Sequence, residues 1–138
     1  MRGGQQRTCT GRTIGMVTYR ILVVDDDPQA LKLLGRILTR GGYEVHTAGS
    51  GKKGLELLDT AEPFDLLVLD LSMPAPDGFE VLKEVRAARP GLRTLVISGF
   101  MGGALLTAAE LMGATATLNK TDAPRLLLLM VNRLLQRL

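Results

Sequence analysis

Carboxylates follow two apolar runs of the sequence, and these residues are best suited to chemistry by type and spacing. Asp25 and Asp26 come directly after the run RILVV, and Asp70 ends the run LLVLD. Carboxylates that lie close together repel one another unless a cation compensates their charge. A hard divalent ion such as Mg²⁺ suits a site with few carboxylates and a phosphate oxygen. If the two runs are neighbouring strands, the three residues predict a magnesium site.

Two further polar residues follow apolar runs later in the chain. Ser98 ends the run TLVIS, and Lys120 comes shortly after ATATL. Taken singly each is weak evidence, because such a serine usually satisfies local backbone groups and a lysine is usually solvated. Beside three carboxylates and a divalent ion, however, a hydroxyl and an ammonium form a pocket for a tetrahedral dianion. The five residues together predict phosphoryl transfer to a carboxylate.

Helix capping is the alternative explanation for the acidic residues of the first run. Asp27 precedes Pro28, which is typical of a helix N-cap followed by proline at the first helical position. One N-cap residue is sufficient, so we interpret Asp27 as the cap. Asp25 and Asp26 exceed what capping requires, and Asp70 lies in a different segment.

The elements that must position these residues alternate regularly from Tyr19 onwards. Short Val, Ile and Leu runs alternate with longer amphipathic segments, which predicts parallel strands joined by helices. The predicted strands cover 20–24, 44–47, 66–70, 94–98 and 114–118. The predicted helices run from Asp27-Pro28 to Gly41-Gly42, over 51–59, from Asp77-Gly78 to Pro90-Gly91, over 103–112 and over 123–137.

This pattern is that of an α/β fold, a doubly wound five-stranded parallel sheet with five helices. If the strand order is 2-1-3-4-5, the first and third strands flank the point where the order reverses. Ligands of open parallel sheets bind at that point, outside the carboxyl ends of the strands. The order would therefore bring Asp25, Asp26 and Asp70 together.

Length and charge indicate one domain without an evident nucleic-acid surface. The chain has 138 residues, which is the size of a single domain. We interpret residues 1–18 as a disordered N-terminal extension or a cloning remnant, and 19–138 as the domain. The net charge of +3 comes from three arginines within 1–15, since 14 Lys and Arg balance 14 Asp and Glu elsewhere. We therefore expect no nucleic-acid partner.

Export and membrane insertion are not predicted. Cys9 is the only cysteine, so no intrachain disulfide is possible. The longest apolar run, 126–131, is far shorter than the roughly 20 residues that span a bilayer. The N-terminal stretch also lacks the apolar core of a secretory signal. A cytoplasmic location is the prediction.

Four segments of the sequence together resemble the receiver domains of two-component response regulators. They are ILVVDDDP at 21–28, DLLVLDLSMPAPDGFEVL at 65–82, LVISG at 95–99 and NK at 119–120. The resemblance covers Tyr19 to the C-terminus and implies a flavodoxin-like receiver fold. It implies that Asp70 accepts a phosphoryl group from a histidine kinase or phosphotransfer protein, and that the only reactions are self-phosphorylation and autodephosphorylation.

The resemblance also implies the roles of the site residues. Asp26, Asp70 and the backbone carbonyl of Ser72 would contact Mg²⁺ directly, and Asp25 would help through water. Lys120 would pair with the phosphoryl group, and the hydroxyl of Ser98 would move to bind it. These roles are expectations taken from the family.

Two positions depart from the family pattern. Thr121 stands where the family usually has a proline after its lysine, so the loop geometry is open. Thr117 stands where a Tyr or Phe often swings inward on activation. Thr117 could form a smaller switch, or the fourth helix could move instead. A pseudo-receiver that only binds proteins is therefore the alternative function.

A phosphatase of the haloacid-dehalogenase type also forms an aspartyl phosphate with Mg²⁺. That class carries its nucleophile in an Asp-x-Asp motif on the first strand and has a cap domain, and neither is evident. We therefore favour the receiver.

The fourth and fifth helices contain more apolar residues than one buried stripe needs. The extra residues could simply fill the core, or they could form an exposed face for homodimerisation or partner docking. Because the sequence stops after the fifth helix, we expect output through an unknown downstream protein, or a longer protein of which this is one part.

Overall fold

The computed structural model describes residues 18–60, 62–99 and 102–135, with no side-chain description for 102 and 103. The segment 1–17, which contains Cys9 and nearly all of the predicted extension, lies outside the described residues. The predicted end of the fifth helix at residue 137 also lies outside them. Within these ranges, no helix is long and apolar enough to cross a bilayer.

Five parallel strands form one sheet in the order β2-β1-β3-β4-β5, which confirms the predicted topology. The strands are β1 (Arg20–Val24), β2 (Glu44–Ala48), β3 (Leu66–Asp70), β4 (Arg93–Ser98) and β5 (Ala116–Asn119). Every residue of β1 and β3 is buried, as expected for strands that are covered on both faces. The register pairs Val24 with Leu69, so the carboxyl ends of β1 and β3 lie side by side.

Five helices cover the two faces of the sheet. They are α1 (Pro28–Arg40), α2 (Gly51–Leu58), α3 (Gly78–Ala88), α4 (Gly102–Leu111) and α5 (Ala123–Leu134). Helices α1 and α5 pack with Ile21 and Val23 of β1 on one face, and α2, α3 and α4 pack with Leu22 and Val24 on the other. The alternating directions of β1 side chains therefore divide the core into two layers.

Hydrogen bonds at the helix starts explain the predicted boundaries. The Oδ1 atom of Asp27 accepts from the Gln29 N–H at 3.0 Å, so Asp27 is the N-cap of α1. Asp77 and Glu80 form a reciprocal capping box at the start of α3. Both helices therefore begin where the sequence predicts.

The prediction for the fifth strand was wrong at both ends. Strand β5 begins at Ala116 instead of residue 114, and it extends to Asn119. Gly113 has a φ of 103°, and the N–H of Ala114 donates to the carbonyl of Ala109 at 3.0 Å. Ala114, the first residue of the predicted strand, therefore belongs to the end of α4, and its N–H is not available to the sheet.

Two helical glycines should respond in opposite ways to alanine. A Cβ at Gly35 would lie 3.9 Å from Thr47 Cγ2, which is an ordinary contact, whereas a Cβ at Gly54 would lie 2.7 Å from Val24 Cγ2. We expect Gly35→Ala to raise the free energy of unfolding by about 0.5 to 1 kcal/mol, because alanine loses less backbone entropy than glycine in a helix. Gly54→Ala should lower it by about 1 to 3 kcal/mol through overpacking. Urea unfolding of both variants measures the difference, and equal effects would contradict the described packing.

Candidate functional site

Three acidic residues meet where the strand order reverses. One carboxylate oxygen each of Asp25, Asp26 and Asp70 lies within 4.8 Å of the other two. Asp25 and Asp70 are 0% and 2% exposed, whereas Asp26 is exposed. The first two carboxylates thus lie in a low-dielectric environment, and Asp26 opens the cluster to solvent.

Backbone hydrogen bonds fix the orientation of Asp25. Its N–H donates to the carbonyl of Ala48 at 3.1 Å, which extends the pairing of β1 with β2 by one residue. Its Oδ1 atom accepts from the N–H of Asp27 at 2.9 Å. One oxygen of Asp25 is therefore used to shape the turn into α1, and Oδ2 faces the cluster.

Lys120 supplies a positive charge to the two buried carboxylates. Its Nζ atom lies 2.7 Å from Oδ2 of Asp25 and 3.8 Å from Oδ2 of Asp70. Burial acts to lower the pKa of Lys120, but the contact with Asp25 and the charge of Asp70 outweigh it, so the net pKa is raised. The ammonium therefore stays protonated, and it is closer to Asp25 than to the predicted phosphoacceptor.

The charge of the buried Asp70 carboxylate is only partly compensated by its surroundings. Burial and then the charge of Asp25 raise its pKa to about 6, although Lys120 and the backbone of Ser72 oppose this shift. Its Oδ1 atom is buried and has no hydrogen-bond partner among the described residues. One ammonium faces three carboxylates here, and an unpartnered buried oxygen points to a missing electropositive group. The donor set, all oxygen, fits Mg²⁺.

Ser98 and Ser72 lie at the same edge of the sheet. Ser98 is completely buried at the end of β4, one residue after Ile97, the residue that pairs with Asp70. Ser72 is exposed two residues after Asp70. The structure thus brings all six predicted site residues to the carboxyl ends of the strands.

The loop after Lys120 is held by a side-chain cap that the sequence prediction missed. Oδ1 of Asn119 accepts from the N–H of Thr121 at 3.2 Å and from its hydroxyl at 3.0 Å. A 3₁₀ turn over Lys120–Asp122 then leads into α5. The Asn119–Thr121 pair thus holds the loop in place without proline. The sequence pattern that could have predicted this cap is an Asn two residues before a Thr.

Thr117 faces the fourth helix. Its hydroxyl donates to Oε2 of Glu110 on α4 at 3.3 Å. The position that carries an aromatic ring in many receivers is therefore in polar contact with α4 in this chain.

Two glycines near the site permit close packing, a role that the sequence analysis did not predict for either of them. A Cβ at Gly78 would lie 2.4 Å from the carbonyl oxygen of Asp70 and from Cα of Leu71. A Cβ at Gly99 would lie 3.3 Å from Cδ of Lys120. Gly78 therefore lets the start of α3 contact the backbone of Asp70, and Gly99 leaves room for the Lys120 stem.

Removing the Asp70 charge should stabilise the protein when no divalent ion is present. The folded-state pKa of about 6 exceeds the ordinary value of 3.8, so the wild-type carboxyl contributes stability below pH 4 that is lost as the pH rises through 6. We therefore expect the stability of Asp70→Asn, relative to wild type, to rise by roughly 2 kcal/mol between pH 4 and 7.5. Urea unfolding in EDTA measures it. If the difference in stability between Asp70→Asn and wild type did not depend on pH, the described burial of Asp70 would be contradicted. Added MgCl₂ should stabilise only the wild type.

Comparison with known sequences identifies related proteins. A family model described as response regulator receiver domain matches residues 21–132. Chemotaxis protein CheY from Treponema pallidum is 36% identical over 110 residues, which is 78% of this chain and 76% of that protein. Transcriptional regulatory protein GlrR from Escherichia coli is 44% identical over 78 residues. That match covers 56% of this chain but only 17% of GlrR, so the chain spans a small part of that relative.

Solved structures show the same architecture. A CheY-like receiver domain protein from Methanospirillum hungatei has a TM-score of 0.79 and 32% identity, with 87% of this chain and 95% of that chain covered. A BeF3-activated DrrB receiver domain has a TM-score of 0.77 and 27% identity, with 88% and 100% covered. The fold similarity therefore extends over nearly all described residues.

Proposed function

Because this chain belongs to the response regulator receiver domain family of two-component systems, we propose that it is a switch that accepts a phosphoryl group on Asp70. Receiver domains interact with histidine kinases or phosphotransfer proteins, and such a protein would be the donor. The observation that carries the proposal is the buried Asp70 carboxylate, which has an unpartnered oxygen and lies beside Asp25, Asp26 and Lys120.

The proposed reaction is an in-line transfer to the Asp70 carboxylate. An oxygen of Asp70 forms a bond to phosphorus while the bond between phosphorus and the donor breaks. The electron pair leaves with the donor, which for phosphohistidine is a ring nitrogen. With a pKa of about 6, Asp70 is mostly ionised at neutral pH and can act as the nucleophile. In the dephosphorylation step, water attacks phosphorus while the bond between phosphorus and the Asp70 oxygen breaks. The electron pair stays on the Asp70 carboxylate, and inorganic phosphate is released.

The acidic cluster would hold the metal ion of this chemistry. Asp26, Asp70 and the backbone carbonyl of Ser72 are the proposed direct ligands, with Asp25 acting through water. A bound Mg²⁺ would supply positive charge to the phosphoryl oxygens and reduce the repulsion between them and the carboxylates. The excess of carboxylates over cations among the described site residues supports this assignment.

Lys120 and Ser98 would recognise the phosphorylated state. The Nζ atom of Lys120 lies 3.8 Å from Asp70, close enough to pair with a phosphoryl oxygen attached there. Such pairing would draw the ammonium away from Asp25, its nearer partner at 2.7 Å. The hydroxyl of Ser98 would donate to another phosphoryl oxygen. Both movements would change the edges of β4 and β5, next to α4.

The signal would then pass to a downstream protein through the surface near α4 and α5. Most of the extra apolar residues of α5 pack against the core, including Leu126, Leu128 and Leu134. Leu111 on α4 and Leu129 on α5 remain 85% and 53% exposed. These two residues support the proposed homodimer or partner face, and we expect this signalling to take place in the cytoplasm.

Intact-mass measurement after incubation with acetyl phosphate tests the proposal. We expect a gain of one phosphoryl group in wild type with MgCl₂, and no gain in EDTA or in Asp70→Asn. Asp65→Asn is the matched control, because Asp65 precedes the same strand but lies at its opposite end. No gain in wild type with either acetyl phosphate or a phosphorylated histidine kinase would favour a pseudo-receiver.

A further inference from the structure

Strand β2 forms an open edge of the sheet. The N–H of Glu44 donates to the carbonyl of Tyr19, and the carbonyl of Ala48 accepts from the N–H of Asp25. Because backbone groups alternate in direction along a strand, the N–H and C=O groups of Val45 and Thr47 face away from β1. No described residue pairs with that side of β2. The edge can therefore accept another strand.

A groove lies between this edge and helix α1. Its volume is about 440 Å³, and Leu31, Gly35, Val45 and Thr47 are among the residues that line it. Gly35 leaves the centre open, since a Cβ there would only just contact Val45 and Thr47. Val45 and Thr47 thus contribute side chains to the groove and backbone groups to the open edge.

A basic stripe borders the same groove. Lys32 and Arg36 line it, and Arg40 follows one turn later on α1. All three residues are exposed, and none of their side chains makes a hydrogen bond or ion pair with a described residue. Helix α1 contains no acidic residue. The stripe is therefore an uncompensated positive surface.

The spacing of the stripe matches that of an extended chain. Residues four apart on a helix are separated by about 6 Å along its axis, and alternate residues of a strand by about 6.7 Å. We propose that the β2 edge and its groove bind an extended acidic segment of a partner protein. The segment adds a strand beside β2 and places alternate Asp or Glu side chains against Lys32 and Arg36. This binding does not depend on the proposed phosphorylation of Asp70.

Two other occupants fit the groove less well. A second copy paired through β2 would bring its own Lys32 and Arg36 towards the same cations, and like charges would repel. A nucleic acid would satisfy the charges, but its phosphates offer no donors for the outward carbonyls of Val45 and Thr47. The acidic peptide satisfies both the charges and the backbone groups.

Fluorescence anisotropy with a labelled peptide of sequence Thr-Glu-Val-Glu-Val-Glu-Thr tests the proposal. We expect saturable binding that weakens about ten-fold or more in the double variant Lys32→Glu/Arg36→Glu. The matched control is Lys52→Glu/Lys53→Glu, which makes the same change of charge at exposed positions of α2 and should bind like wild type. No saturable binding, or equal losses in both double variants, would overturn the proposal.

A second variant separates strand addition from charge alone. Thr47→Pro removes an outward N–H and spares the pairing with β1, because proline is tolerated where the N–H faces solvent. We expect it to weaken peptide binding while circular dichroism stays unchanged. The proposal would be overturned if peptide binding persisted in Thr47→Pro. It would also be overturned if an oligothymidylate bound as tightly as the peptide, or if light scattering showed a wild-type dimer that Thr47→Pro abolishes.

Discussion

Replacing Lys120 with glutamine should slow phosphorylation of the protein by acetyl phosphate about 100-fold. The substitution removes the ammonium that lies 3.8 Å from Asp70, where negative charge would accumulate during the proposed transfer. Removing one preorganised electrostatic contact to a transition state typically reduces a rate by about 100- to 1,000-fold. The rate of mass gain in saturating MgCl₂ measures this loss.

The same substitution should destabilise the protein in a pH-dependent way. Without Lys120, the buried carboxylates of Asp25 and Asp70 lose the ammonium between them, which costs about 3 kcal/mol at neutral pH. The cost should shrink towards pH 5, because Asp70 takes up a proton more readily there. Arg125→Gln is the control, since that arginine pairs with Asp122 at the surface. If Lys120→Gln were phosphorylated at the wild-type rate, or were destabilised equally at neutral pH and at pH 5, the described geometry would be contradicted.

Among substitutions that add one methyl group near the site, we expect Gly78→Ala to lower the stability of the protein most. The new Cβ would lie 2.4 Å from backbone atoms of Asp70 and Leu71, which cannot move aside as a flexible side chain would. Either α3 or the end of β3 must shift, and we expect a loss of about 3 kcal/mol or more. Because the shift displaces Asp70, phosphorylation by acetyl phosphate should also slow.

Gly91→Ala provides the comparison for this prediction. A Cβ at Gly91 would have no atom within 4 Å, so the same substitution there should change the free energy of unfolding by less than about 1 kcal/mol. Urea unfolding of both variants gives the two values. Equal stability of the Gly78 and Gly91 variants would mean that α3 does not approach Asp70 as closely as described.

The sequence predicted the sheet and the acidic cluster well, because both depend on local signals. Strands β1 and β3 are buried apolar runs that end next to carboxylates, and the alternation of strands and helices predicts a parallel sheet; the order 2-1-3-4-5 was assumed for the sequence and is the order observed. Convergence of Asp25, Asp26 and Asp70 then needs only the rule that parallel strands end at one edge.

Other features depend on contacts between distant segments, which local patterns do not encode. The pairing of Lys120 with Asp25 links residues at opposite ends of the domain, and its preference over Asp70 is set by distance. The close approach of Gly78 to Asp70 depends on how α3 docks on β3. The start of β5 was misplaced because the N–H of Ala114 is used to end α4.

The apolar residues of α4 and α5 illustrate the same limit. The sequence left both core filling and an exposed face open, because composition does not reveal which way each side chain faces. In the structure, Leu127 and Val131 of α5 are fully buried, whereas Leu129 between them is 53% exposed. Core filling therefore accounts for Leu127 and Val131, whereas a docking role for the exposed Leu129 stays a prediction.

Chemical mapping of the phosphoryl group is the most direct test of the central claim that Asp70 is the phosphoacceptor. The protein would be incubated with acetyl phosphate and MgCl₂ and then reduced with borohydride, which converts an aspartyl phosphate to homoserine. Peptide mass spectrometry would locate the converted residue. We predict homoserine at position 70 alone, dependent on MgCl₂. Conversion at Asp25 or Asp26, or no conversion with a phosphorylated histidine kinase as donor, would contradict the assignment of Asp70.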